Sequence, residues 1–347
     1  MMHVETLEKS FLMDKYDAFL KRDSRSTIYH TLEWKKVVER NFGYKPIYLV
    51  ACNENGICGL LPLFFVKNVY GKRLDSLPQT PYAGPIGERE SIKILISKAI
   101  EIMDTLDCKP LLIRSSQYLE KIFDPLNFGR FQRWYNQFVK IDLPAIMWNN
   151  LSKTNKSNIR RAMDYNLTFE ATSSKECLEE FYHLFRLTYK RLGFPILPYK
   201  FFEDIWNIMN PPGYLKLFVA RYKGIPLSST LNFTFKDTVF SAFHGWDDKW
   251  KYIKANNFLD WFSLVWCHKN GFKKFDFGLT SRENMGLYSY KSSFNSISQP
   301  YFQYCFPKKS IYIKSFDLVK KVGNIVLKRL PISINERCGL FLNKFFV

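Results

Sequence analysis

The sequence predicts an α/β (α+β) protein made of two copies of one domain, and three observations carry that reading. "YLVACNENGICGLLPLFF" from Tyr48 and "LFVARYKGIPLSSTLNFTF" from Leu217 read alike: a strand ending in Val-Ala, a glycine turn, and a second strand. The turn glycines, Gly56 and Gly224, are separated by 168 positions. Each copy then closes with an apolar helix and a short strand, "PLLIRSS" in one and "KKFDFGLTS" in the other. One order of elements at one offset points to a repeat. Two unrelated α+β units are the alternative.

In chain order, a helix is expected over Leu32–Asn41, capped by Thr31 and stopped by Gly43. "PIYLVACNENGICGLLPLFFV" is a hairpin about an Asn-Gly turn, and "PQTPYAGPIGE" is loop. Ile92, Leu95, Ile96, Ala99, Met103 and Leu106 recur at helical spacing. "LSKTNKSNIRRAMDYN" is a basic helix, and Ser173 with Glu176 reads as a capping box for the apolar helix behind it. Three strands joined at Lys223-Gly224 and Lys236-Asp237 follow, and then "ANNFLDWFSLVWCHKNG", a helix apolar nearly all round. Boundaries are expected at 1–148, 149–306 and a C-terminal tail at 307–347.

Composition narrows the partners. Of 347 residues, 51 are Lys or Arg against 32 Asp or Glu, a net charge of +19 that favours anionic partners without choosing among them. Seven scattered cysteines without a Cys-x-x-Cys pair argue for reduced thiols and a cytoplasmic protein. Five histidines show no ligand spacing, so no metal site is expected. The N-terminus carries no signal segment, and no apolar run is long enough to span a bilayer. The tail sets Val319, Val322, Ile325, Val326 and Leu330 on one helical face, with Lys320, Lys321, Lys328 and Arg329 elsewhere. It either lies on an anionic membrane or packs on the second domain.

No Ser-His-Asp order, Walker loop or Gly-x-Gly-x-x-Gly is present. On the strand Leu227–Phe235, Ser228, Thr230, Asn232 and Thr234 share one face, which lines a ligand cleft or meets solvent. Lys156, Arg160 and Arg161, with Lys153, hold phosphates or form a solvated face. Asp276 sits between two phenylalanines and needs donors. Lys291, flanked by Tyr288 and Tyr290 at period two, is expected at the mouth of a strand. There it pairs with Asp276 or Glu283, or serves a phosphate or a developing oxyanion.

The stretch "KANNFLDWFSLVWCHKNGFKKFDFG…GLYSYK…PYFQY" resembles the C-terminal signature of the FemAB-related acyltransferases. The subgroup it resembles is encoded with exopolysaccharide and PEP-CTERM sorting systems of bacteria. "EWKKVVERNFGYKPIYLVACNENGICGLLPLFFV", "RLDSLPQTPYAGP", "NIRRAMDYNLTFE" and "YKRLGFPILPYKFF" agree, so the match runs from about Tyr29 to Phe306. The resemblance implies two tandem GNAT-like domains with mixed, largely antiparallel sheets. It implies acyl or aminoacyl transfer to an amine, on a cell-envelope or exopolysaccharide precursor. Lys291 matches the family's favoured lysine, with Asp276 and Tyr290 beside it as catalytic candidates. Lys156, Arg160, Arg161, Ser228, Thr230, Asn232, His244, Asn256, Asn257 and Tyr288 are binding candidates. The donor is acyl-CoA or aminoacyl-tRNA, and no tightly bound cofactor is expected.

The sequence departs from the family pattern in three places, the first being a loop between Gly278 and Lys291 that is one residue longer. Leu279-Thr280 replaces a common Arg-Ser, and Asn295 replaces a glycine, a substitution that tolerates a left-handed backbone. The Arg/Gln-x-x-Gly-x-Gly/Ala pyrophosphate loop of acyl-CoA binders is absent from both halves. A degenerate, non-catalytic GNAT pair binding RNA or a polyanionic polysaccharide is the alternative.

Overall fold

The computed structural model describes residues 2–7, 11–68, 71–115, 119–308 and 323–343. The strands are β1 (His3–Thr6), β2 (Lys45–Asn53), β3 (Gly56–Asn68), β4 (Gly71–Asp75), β5 (Ile86–Gly87) and β6 (Leu111–Ser115). Then come β7 (Gly129–Lys140), β8 (Thr168–Thr172), β9 (Leu215–Tyr222), β10 (Ile225–Phe235), β11 (Thr238–Trp246), β12 (Lys274–Ser281) and β13 (Ile297–Phe306). The chain divides into two compact units. One is Met1–Trp134 with the segment that begins at Pro300, and the other is Tyr135–Gln299 with a segment that ends at Asn343.

The two units share a topology. In the first, β1, β2, β3 and β4 pair antiparallel in that order, β4 pairs parallel with β6, and β13 pairs antiparallel with β6. In the second, β8, β9, β10 and β11 pair antiparallel, β11 pairs parallel with β12, and β7 lies next to β12. A parallel pair needs a crossover. The helix Arg89–Thr105 supplies it in the first unit and Ala255–Lys269 in the second. The predicted order of elements therefore recurs in the two units, and the strand pairing in each is mixed and largely antiparallel. The unit boundary falls after Trp134, not after 148. The reason is an exchange of strands: Pro300–Phe306 of β13 counts with the first unit, and Tyr135–Lys140 of β7 with the second.

Local chemistry explains the elements. Thr31 accepts a hydrogen bond from the Trp34 amide, and Gly43 ends the helix Leu32–Phe42 in the left-handed region at φ 65°. The cap of helix Lys175–Leu192 is Ser174, which accepts from the Cys177 amide; Ser173 instead donates to the Leu215 carbonyl, so the cap falls one residue later than expected and the expected Ser173–Glu176 capping box does not form. In the first unit, Leu49, Ala51, Leu61 and Leu63 pack on Ile92, Leu95, Ile96 and Met103. In the second, Phe218, Leu227 and Val239 pack on Phe258, Leu259 and Leu264. Each such side chain contributes about 1.5–3 kcal/mol by leaving water.

The C-terminal helix Ile332–Asn343 docks on the second unit. The buried Asn335 bridges the chain end of helix Lys175–Leu192, accepting from the Ile196 amide at 3.0 Å and donating to the Phe194 carbonyl at 3.1 Å. Glu336 accepts from the Tyr182 hydroxyl at 2.6 Å. Of the tail's predicted apolar face, Val319 and Val322, with Lys320 and Lys321, lie outside the described residues. In the described part, Leu327 is buried while Ile325 and Val326 face outward, so the buried stripe is not the predicted one.

Candidate active site

The second unit's sheet opens at one place. β11 pairs with β12 through Thr238–Phe240 and no further, while its pairing with β10 continues to Trp246. Its residues pass from buried to half-buried at Ser241, where β12 departs. Between the pairs Leu231–Phe243 and Asn232–Ser241 the register shifts, leaving Ala242 as a bulge. Helix Ala255–Lys269 and helix Met285–Ser292 supply the remaining groups.

Lys291 lies on helix Met285–Ser292, not at the mouth of a strand, because Asn284 caps a helix through the Leu287 amide. It is 6% exposed. Its Nζ donates to the carbonyls of Gly278 at 3.1 Å and Leu279 at 3.2 Å. It forms no ion pair with Asp276 or Glu283. Burial pushes the ammonium down to about 8, against the supporting charges of Asp276 and Asp260.

Asp276 acts on Lys291 through the backbone. Its Oδ1 accepts from the Gly278 amide at 2.8 Å, fixing a turn in which Gly278 takes φ 73°. That turn aims the two carbonyls that hold Lys291. Asn136 at 3.3 Å and Lys274 at 3.3 Å engage its Oδ2. Asp276 is therefore a positioning residue in this geometry.

Tyr290 uses its hydroxyl on a neighbour, donating to Asp260 Oδ2 at 2.6 Å. Burial raises the Asp260 carboxyl to about 7, opposed by the Tyr290 hydrogen bond and the Lys291 charge. Sequence reading missed Asp260. Its signal was a lone carboxylate within an apolar helix, but the partner that explains it lies 30 residues away.

The other predicted residues divide. Ser228, Thr230 and Asn232 are buried, so the polar strand face is not a solvent face. Thr230 and Asn232 bond to each other at 2.9 Å, and Ser228 bonds His244 Nε2 at 3.1 Å. His244 is held neutral, its pKa lowered to about 4 by burial first and then by the charges of Arg191 and Lys291. Asn257 donates to Asn155 at 2.8 Å, and Asn155 reaches the Ser293 carbonyl at 3.3 Å. Asn256 lies against His244, and its side-chain hydrogen bond raises the His244 pKa against that burial. Lys156 donates to the Asn149 carbonyl, Arg160 lies over Trp148, and Arg161 is exposed. None of these three lines the cavities described next, so their helix reaches the site through Asn155 and not through its basic side chains. Asn295 has φ 59°, the left-handed conformation expected of a glycine substitute.

Two cavities meet at Tyr290. One, about 570 Å³, is lined by Ser152, Asn155, Asn257, Tyr288 and Ser292 among others. The second, about 180 Å³, is lined by Trp246, Trp250, Lys251, Lys254, Asn256 and Asn257 among others.

The buried pair fixes a pH signature. Asp260 binds its proton more tightly folded than unfolded, so its contribution falls as pH rises from about 4 to about 7. Lys291 binds its proton less tightly folded, so stability recovers as pH rises from about 8 toward 10.5. Asp260→Asn keeps an acceptor for Tyr290 and abolishes the acid limb. Its melting temperature relative to wild type should climb between pH 4 and pH 7. A constant difference across that range would contradict the assignment.

A strand pair that splits beside a crossover helix is the sheet arrangement of the GNAT fold. Residues 149–292 match the family model described as "Acetyltransferase (GNAT) domain". Among solved structures, that of FemX is 14% identical with a TM-score of 0.72, covering 92% of this chain and 100% of that one. L-PGS from Bacillus licheniformis is 13% identical with a TM-score of 0.62, covering 89% and 96%. A tandem GNAT protein from the clavulanic acid biosynthesis pathway is 9% identical with a TM-score of 0.54, covering 87% and 98%. At these identities the likeness is one of fold. A search of curated proteins gives no match. Residues 149–292 therefore match a GNAT acetyltransferase domain, and the chain as a whole shares the fold of FemX and of the tandem GNAT protein.

Among the described residues no helix is long and apolar enough to cross a membrane, and no cluster of His, Cys, Asp and Glu has the make-up of a metal site.

Proposed function

We propose that the protein transfers an acyl or aminoacyl group from an acyl-CoA or aminoacyl-tRNA type donor to an amine. The acceptor in this reading is a cell-envelope or exopolysaccharide precursor met in the cytoplasm. The observation that carries the reading is Lys291: a cation kept dry beside the split strands, with no carboxylate bonded to it. The acceptor nitrogen attacks the donor carbonyl carbon. A C–N bond forms, the C–O or C–S bond breaks, and the leaving oxygen or sulfur takes the proton that the amine gives up. The carbonyl oxygen gains charge on the way, and an ammonium already stripped of water stabilises it more than a solvated one would. Positioning of both reactants supplies the rest.

Lys251 and Lys254, with Trp246 and Trp250, offer charge and stacking surface to the donor's phosphates and base. They take the role first given to Lys156, Arg160 and Arg161. The test is a thermal-shift comparison of coenzyme A thioesters with charged tRNA. A donor at about 100 times its Kd adds roughly 2.7 kcal/mol of stability. Lys251→Ala with Lys254→Ala should weaken that donor about tenfold or more. If neither donor class shifts the folded protein, the transferase reading fails.

A further inference from the structure

We propose that the larger of the two cavities, about 570 Å³, holds the acceptor by an uncharged sugar ring and brings its amine to Tyr290. The assignment rests on the transferase reading only in calling this ligand the acceptor. The volume lies within the roughly 300–1,000 Å³ of sites that enclose a small molecule. The lining is hydroxyl, carboxamide and tyrosine, and none of the described residues that form it carries a charge. Cations are close by but turned elsewhere. Helix Lys153–Asp164 bears Lys153, Lys156, Arg160 and Arg161, yet it presents Thr154, Asn155 and Asn158 to the cavity. Lys156 is engaged by the Asn149 carbonyl and Arg160 by the Trp148 ring. An anionic ligand would meet no cation in this lining, whereas the smaller cavity offers Lys251 and Lys254.

The wall has a fixed part and a free part. Ser152 accepts from the Asn155 amide, and the Asn155 side chain is clamped between Asn257 at 2.8 Å and the Ser293 carbonyl at 3.3 Å. The Ser292 hydroxyl accepts from Gln137 at 3.3 Å. These groups are satisfied and hold the shape. By contrast, the side chains of Thr154, Asn158 and Ser289 and the hydroxyl of Tyr288 bond to nothing among the described residues. Thr154 and Asn158 stand one turn apart on one helix, and Tyr288 and Ser289 belong to another. Hydroxyls and carboxamides both donate and accept, which is what the hydroxyls of a sugar ring require. Tyr135 holds the Tyr288 ring at 5.4 Å and 63°, and that amphipathic ring suits the C–H face of a sugar. A hydrocarbon ligand would leave the free hydroxyls unpaired. Tyr290 and Asn257 line both cavities, so an amine at that junction lies next to a donor held by Lys251 and Lys254.

Calorimetric titration of the full chain with cellotriose, a glucosamine trimer and a galacturonate trimer at physiological salt tests this. The first two should bind. The galacturonate trimer should bind about tenfold more weakly or worse, because its carboxylates lose water without gaining a cation. The chain's charge of +19 works in the opposite direction, so general attraction cannot produce that order. Thr154→Ala and Asn158→Ala should each weaken the sugars roughly two- to tenfold, the worth of one hydrogen bond. Gly286→Tyr obstructs the cavity from its lining. A Cβ there meets only Asn284 Oδ1, at 3.8 Å, so the added ring enters open space and the melting temperature should hold. Sugar binding should then be lost. Sugar binding unchanged in Gly286→Tyr would overturn the proposal, as would binding of neither sugar or a preference for galacturonate. Adenosine binding tighter than both sugars would give the cavity to the donor and overturn it as well. None of these readouts needs a donor or turnover, so failure here and failure of the transferase reading are separable.

Discussion

Lys291→Ala is expected to lower turnover by roughly 100- to 1000-fold, the usual loss when one preorganised donor to a developing oxyanion is removed. The same change leaves the Gly278 and Leu279 carbonyls without their ammonium. Two half-buried acceptors losing a partner cost up to about 1–3 kcal/mol each where water cannot replace it. The variant should therefore melt lower as well, and turnover must be expressed per folded molecule. Lys291→Arg separates the roles. A guanidinium keeps the charge, but its fork cannot take the place of a compact ammonium between two adjacent carbonyls. Turnover should stay low while part of the stability returns. The pH profile gives an independent check. Lys291 loses its proton near pH 8, so a role for the cation predicts kcat/KM falling above about pH 8. A profile that rises through pH 8 would make Lys291 a base. Normal turnover per folded Lys291→Ala molecule would return it to a purely structural place.

Local signals in the sequence were enough for the hairpins β2–β3 and β9–β10, because a glycine turn between apolar runs encodes both strands and their register. Thr31 and Gly43 bounded their helix for the same reason. Asn295 was legible because a left-handed residue is a backbone requirement that few side chains meet. Lys291 was found, but its element was misread. Tyr288 and Tyr290 alternate as in a strand, yet they belong to an eight-residue helix with too few apolar positions to show its period. What escaped altogether depends on distant partners. Which unit the segments of β7 and β13 fall in is decided by partners more than a hundred residues away, such as β6 for β13, and no window of sequence holds that information. Asp260 escaped for the same cause: its meaning lies in Tyr290. Asp276 was assigned to catalysis, and the geometry gives it the carbonyls of Gly278 and Leu279 to aim instead.

Gly245→Ala is expected to give a large loss of stability for the smallest added group. Gly245 lies on β11 immediately after His244, and helix Lys175–Leu192 crosses it so closely that a Cβ would overlap the backbone of Leu184 and Phe185. No side chain can swing aside to make room, so the helix itself must move. That helix carries Phe181 and Phe185, which pack against Phe202 in the aromatic core of the second unit. Forcing an extra methyl into such a contact costs about 3 kcal/mol or more. For a unit of this size that lowers the melting temperature by roughly 6–12 °C. Gly224→Ala is the control: its φ is +78°, but a Cβ there meets nothing. It should show only the strain of a left-handed alanine, about 1–2 kcal/mol. Because β11 also carries His244 and the Ala242 bulge, Gly245→Ala should reduce donor-induced stabilisation, whereas Gly224→Ala should leave it intact. If Gly245→Ala melted within a degree of wild type, the close crossing of strand and helix would be wrong. The path of β11 past the split would then have to be redrawn.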